Sequence, residues 1–171
     1  MTAAEIILAL VTAQRGAELV LARHNTQRLM ARGAFEIAAG HYPLVVAVHA
    51  CWLAALWMFG HAQPINWVAF DLYLALQVLR AWVMATLGAR WTTRIIVLPD
   101  APLVKDGPYR FLRHPNYVVV AGEIAVLPLM LHLGELAVVF TTLNAIVLFI
   151  RIRAEDRALA TSRQFAGQDA P

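Results

Sequence analysis

A single cysteine, Cys51, leaves no partner for an internal disulfide and excludes a cysteine-built metal cluster. Lying in an apolar run before Trp52, it reads as a packed small hydrophobe. Charge is scarce too: 15% of the 171 residues are charged and 60% are hydrophobic. A mean hydropathy of +0.61 lies outside the usual soluble range. The net charge of +3 is small and the basic residues do not line one helix face, so a nucleic-acid footprint is excluded. There is no GxGxxG, GxxxxGK[ST], HExxH or CxxC run, which removes nucleotide-fold, P-loop and zinc-protease readings. The six histidines, at 24, 41, 49, 61, 114 and 132, are not spaced to chelate from one helix face. The N-terminus lacks the basic region and small-residue cleavage site of a secretory signal and reads as mature sequence.

What the chain does have is apolar sequence in blocks. Five segments stand out: Ala3–Leu21, Leu44–Gly60, Ile65–Leu87, Val118–Leu133 and Glu135–Ile150. A helix crosses the hydrocarbon with about 20 residues and tolerates about 17, so the second and third segments qualify. The last two form a tight helical hairpin around His132-Leu133-Gly134-Glu135. Gln14, Arg15 and Glu18 interrupt the first segment, which reads either as a span or as an amphipathic surface helix. The expectation is an all-α polytopic membrane bundle of about five transmembrane helices, with a long polar loop and a C-terminal helix after the last segment, forming one domain over residues 1–171.

Basic residues set its orientation. Arg23, Arg28 and Arg32 follow the first segment, and Arg90, Arg94, Lys105, Arg110 and Arg113 occupy the long third loop. Arg151, Arg153, Arg157 and Arg163 form the tail, while the turns 60–64 and 132–134 carry no Lys or Arg. The positive-inside rule then puts the N-terminus outside and all three basic regions on the cytoplasmic face of the cytoplasmic membrane. Within the apolar segments, Arg15, Glu18, Asp71, Arg80 and Glu123 are expensive in lipid and are expected to face the bundle interior or water. Arg15 and Glu18 stand three apart and can pair. Glu123 lies close enough to the third loop either to reach a ligand or to pair with Arg110 or Arg113. Asp71 lies near the outer end and reads as structural or solvated, and the five tryptophans sit mostly at span ends as interfacial anchors.

The densest polar stretch, Gly107-Pro108-Tyr109-Arg110-Phe111-Leu112-Arg113-His114-Pro115-Asn116-Tyr117, lies between two apolar segments. Proline-broken backbone beside a bilayer must find its hydrogen bonds in protein, water or ligand, so this run reads as pocket lining. Gly107-Pro108 ends any preceding helix, and Pro115 drives His114 towards extended backbone. About 35 residues later comes Arg153-Ala154-Glu155-Asp156-Arg157-Ala158-Leu159. Cations and carboxylates gathered at one membrane edge suit a zwitterionic ligand meeting a lipidic one.

These two runs, in this order and at this separation, resemble the isoprenylcysteine carboxyl methyltransferase family, whose pattern looks like G-P-Y-R-x-x-R-H-P-x-Y, two apolar helices, then R-x-E-E-x-x-L. Asp156 stands where the pattern has its second Glu. The motif-bearing core covers about residues 88–160. Arg23-His24-Asn25, Gly33-Ala34-Phe35-Glu36, His41-Tyr42-Pro43 and His49 look like a bacterial subgroup linked to type III polyketide synthases. The resemblance implies S-adenosylmethionine as cofactor, held by Tyr109, His114, Pro115, Asn116, Tyr117, Glu155 and Asp156. It implies that Arg110, Arg113, Arg153 and Glu155 act on the acceptor. It further implies O-methylation of a lipophilic acceptor, either an alkylpyrone or phenolic lipid or an isoprenylcysteine-type carboxylate. A small transporter using Asp71, Arg80 and Glu123 as a polar path, or a non-catalytic membrane scaffold, is the competing expectation.

Overall fold

The computed structural model describes the backbone of residues 1–99 and 101–168, and side chains as far as Glu155. Five helices follow one another: α1 (Ala3–Met30), α2 (Tyr42–Gly60), α3 (Trp67–Leu87), α4 (Pro115–Met130) and α5 (Gly134–Gln168). Three stretches are long and apolar enough to cross a membrane: Ala39–Gly60, Trp67–Arg90 and Gly134–Glu155. Helix α4 is a shorter apolar helix. Short turns join α2 to α3 and α4 to α5 at one end of the bundle, and the long connections gather at the other. The latter is called the loop end below.

Helix α1 runs nine residues beyond the expected segment, past Arg23 and Arg28. Thr2 caps it reciprocally with Glu5 in a capping box, at 3.0 and 2.8 Å. It buries Ala4, Leu8, Val11, Glu18, Ala22, Asn25 and Leu29, a stripe at steps of three, four or seven residues that packs it into the bundle. Helices α3 and α4 form the closest pair. A Cβ on Gly122 would lie 2.8 Å from a methyl of Leu76, so the missing side chain allows the approach. The main core unites Leu8, Trp52, Leu56, Ile124, Leu127 and Met130, and a smaller one at the loop end unites Ala22, Val83 and Trp91.

Several expectations need correcting. Cys51 is exposed on the outer side of α2 instead of packed, because Val48, Trp52 and Leu56 occupy that helix's inward face. Trp52 and Trp91 are buried, whereas Trp67 and Trp82 are exposed near helix ends as interfacial anchoring requires. Asp71 is exposed, as expected. Glu123 does not turn to the third loop among the described residues. It is buried against Arg15 and Arg80, since three helices meet around it. The sequence reading also missed a two-stranded antiparallel ribbon, β1 (Phe35–Ile37) with β2 (Ile95–Val97), which pairs Glu36 opposite Ile96 at the loop end. Strands of three residues are too short to leave a periodic signal.

Candidate functional site

The two sequence motifs meet at the loop end. Gly107–Arg110 forms a 3-10 turn seated on α3. Gly107 has φ +56, and a Cβ there would run into Thr86 Oγ1, so glycine is required on both grounds. Pro115 then opens α4 at its first turn, where a missing N–H is harmless, with His114 as the preceding half-extended residue at φ −132. Helix α5 runs unbroken from the apolar interior to this level and carries Arg151 and Glu155 one turn apart on one face.

Across that α4–α5 contact the Tyr117 hydroxyl donates to Glu155 Oε2 at 2.7 Å. His114 Nδ1 stands 3.7 Å from the same oxygen, and its ring stacks on Tyr117 with centroids 5.4 Å apart. The buried Arg151 guanidinium lies over the Tyr117 ring at 5.8 Å and donates to the Thr93 carbonyl at 2.9 Å. Thr93 Oγ1 in turn meets the Tyr42 hydroxyl at 3.1 Å. Arg94, paired with Glu36 of β1 at 2.7 Å, covers the Tyr42 ring at 4.2 Å. The ribbon thereby holds the loop after α3 against Arg151. Tyr109 stands close enough to feel the Glu155 charge. Burial and that charge push its phenol up from 10.0 to about 12, so it keeps its proton at neutral pH.

The expected cofactor residues Tyr109, His114, Pro115, Asn116, Tyr117 and Glu155 thus gather at this end. The Asp156 side chain lies outside the described residues. Arg110 and Arg153 are exposed, each against a neighbouring ring: Phe111 at 5.2 Å and Phe149 at 4.2 Å. Arg113 is exposed as well. Arg151 is the buried arginine of the cluster, and its signal was available: four residues before Glu155, it must share that helix face. Thr93, Arg94, Tyr42 and Glu36 left no such signal, because long-range packing brings them in.

The donor set suits S-adenosylmethionine. Asn116 Oδ1 is buried without a hydrogen-bond donor among the described residues. Together with the Glu155 carboxylate it presents acceptors to a cationic ligand rich in N–H and O–H groups. The rings of His114 and Tyr117 offer flat apolar faces to a heterocycle. Pro115, itself buried, fixes the start of α4.

Comparison with known proteins gives the family of the chain. Residues 67–161 match the isoprenylcysteine carboxyl methyltransferase (ICMT) family. The Bacillus subtilis (strain 168) protein named "Uncharacterized protein YpbQ" is 38% identical over 160 residues, covering 90% of this chain and 95% of that protein. A Haemophilus influenzae protein named only "Uncharacterized protein" is 22% identical over 161 residues, covering 91% and 94%. No solved structure matches. The chain belongs to the isoprenylcysteine carboxyl methyltransferase family, a family of membrane methyltransferases.

Proposed function

We infer that this protein is an integral membrane O-methyltransferase that uses S-adenosylmethionine to methylate a lipophilic acceptor. The observation that carries the reading is the Tyr117–Glu155 hydrogen bond with His114 stacked beside it. It joins two motifs 38 residues apart into one constellation beside a buried acceptor, Asn116 Oδ1, that has no donor among the described residues. When bound, S-adenosylmethionine supplies a methyl group on a sulfonium centre, needing no acid for its leaving group. The protein's task is therefore alignment, which can contribute ~7–11 kcal/mol in the best intramolecular cases.

Glu155 and Asn116 would hold the cofactor's donors, and Tyr109, His114 and Tyr117 its flat parts. Arg151 fixes Tyr117 and, through Thr93, ties the pocket to the ribbon. The acceptor's tail would enter sideways between helices, and its head would meet the site at the membrane edge. We take the acceptor to be a pyrone or phenolic lipid of the kind a type III polyketide synthase would supply. The N-terminal runs from Arg23 to His49 support that choice. Basic residues crowd the loop end, which supports a cytoplasmic site in the cytoplasmic membrane.

The test is calorimetric titration of the detergent-solubilised protein with S-adenosylhomocysteine. Transfer of labelled methyl to a 4-hydroxy-6-alkyl-2-pyrone and to a farnesylated cysteine would follow. Saturable binding with ether formation on the pyrone is expected. Methyl ester formation on the farnesylated cysteine alone would reassign the acceptor, and absent binding would overturn the reading.

A further inference from the structure

Six polar side chains not used by the site above meet in the apolar middle of the bundle: Gln14, Arg15 and Glu18 of α1, Gln77 and Arg80 of α3, and Glu123 of α4. Glu123, only 1% exposed, accepts from Arg15 Nη2 at 2.6 Å, Gln77 Nε2 at 2.6 Å and Arg80 Nε at 2.8 Å; Arg80 Nη2 also donates to it. Glu18 takes Arg15 Nη1 at 2.8 Å and Arg80 Nη1 at 3.0 Å. Two guanidiniums and two carboxylates make the cluster neutral. Folding does not demand it, because well-packed apolar residues are often as stabilising as a buried ion-pair network. Ionisable groups at such depth mark function by default.

Three observations point to a ligand. Arg15 Nε is buried without an acceptor among the described residues, although the Arg15 side chain as a whole is 18% exposed. The cluster therefore opens beside α1, with an unused donor inside it. Helix α1 packs its backbone against α2 and the turn after α3, and reaches Gln77, Arg80 and Glu123 through long, movable side chains. Finally, Glu123 and Asn116 are seven residues apart on one face of α4, roughly 10 Å along the helix. That gap is short enough for an acceptor oxygen held at the cluster to meet a methyl group presented from the candidate cofactor site.

We propose that this cluster receives the head of a weakly acidic amphiphile and that Glu123 takes its proton. The proposal rests on the methyltransferase reading, with the amphiphile as acceptor. A neutral cluster in an apolar interior cannot admit a bare anion without burying net charge. It can admit a neutral acid. The O–H bond of the head breaks, its proton bonds to a Glu123 carboxylate oxygen, and the electron pair stays on the acceptor oxygen between Arg15 and Arg80. The total charge is unchanged, and the oxygen is left as the nucleophile that methyl transfer needs. Once the methylated product leaves, Glu123 returns its proton to water. The other titratable groups within electrostatic reach of Glu123 are Glu18 of α1, His49 of α2 and Tyr73 of α3. Glu123 is the more buried of the two carboxylates.

The experiment is titration of cofactor-free protein with a 4-hydroxy-6-alkyl-2-pyrone, at a pH where the pyrone is anionic in water, in buffers of different ionisation enthalpy. Binding should take up about one proton, and the pyrone's O-methyl ether should take up none. Glu123→Gln should still bind the pyrone but without proton uptake, since its cluster already carries the compensating charge. The charge-balanced pair Arg15→Met with Glu123→Gln keeps the Glu18–Arg80 contact. It should bind the pyrone roughly tenfold or more weakly while binding S-adenosylhomocysteine as the wild type does. No saturable pyrone binding, wild-type binding without proton uptake, or the same uptake by Glu123→Gln would each overturn the cluster's role. Failure of the wild type to bind S-adenosylhomocysteine would instead overturn the methyltransferase reading.

Discussion

Asn116 tests the difference between a side chain kept for folding and one kept for a ligand. Its buried Oδ1 lacks a donor among the described residues, a state that costs about 1–3 kcal/mol relative to a satisfied group. Asn116→Leu is therefore expected to keep or raise the melting temperature of the ligand-free protein while weakening S-adenosylhomocysteine binding; a thermal scan beside a calorimetric titration reads both. Tyr117→Phe removes the hydroxyl that donates to Glu155, a hydrogen bond to a charged group worth about 1.5–3 kcal/mol. It should lower cofactor affinity roughly tenfold if that bond sets the Glu155 orientation. Tyr109 makes a pH prediction. Its pKa in the fold, about 12, exceeds its ordinary 10.0, so its contribution to stability is complete below about pH 10 and disappears as the pH climbs to 12. Spectrophotometric titration should show late tyrosine ionisation whose amplitude falls by one residue in Tyr109→Phe.

At the scale of elements, the unbroken α5 matters most. The sequence reading divided it into an apolar segment and a separate C-terminal helix, because hydropathy changes sign near Arg151 while backbone propensity does not. One rigid rod therefore transmits its membrane packing to Glu155. Ala154→Pro, next to that residue, removes a helical hydrogen bond and costs ~3 kcal/mol locally. It should abolish S-adenosylhomocysteine binding yet leave membrane insertion intact, as judged by fractionation and titration. The 3-10 turn makes the parallel case. Gly107→Ala meets both a left-handed φ and the Thr86 hydroxyl, so it should lower the melting temperature and cofactor affinity together.

For the whole molecule, the arrangement of ends is the point to check. Helices α1, α3 and α5 point their C-termini at the loop end, and α2 and α4 their N-termini. Gln63→Cys and Lys105→Cys, each in a Cys51→Ser background, should be labelled by impermeant thiol reagents from opposite sides of the membrane. Lys105 should be reached only from the cytoplasm. Labelling of both from one side would overturn the topology.

Apolar block length, proline and glycine positions, and the spacing of the two motifs were enough by themselves to place a polar cluster at the end of a helical membrane bundle. Each of these is a local property, since a helix needs its run of apolar residues and a turn its Gly-Pro. Arg15, Glu18, Arg80 and Glu123 were equally visible as costly charges, yet their partners were not. Arg15 and Glu123 stand 108 residues apart, and only the fold, which sets α1 within side-chain reach of α3 and α4, brings them to 2.6 Å. The same holds for the Glu36–Arg94–Tyr42 support of Arg151, made by a ribbon too short to leave a pattern. Tertiary structure alone decided which charges neutralise one another in the apolar interior. A carboxylate there takes whichever guanidinium the fold places nearest, and sequence distance has no bearing on that choice.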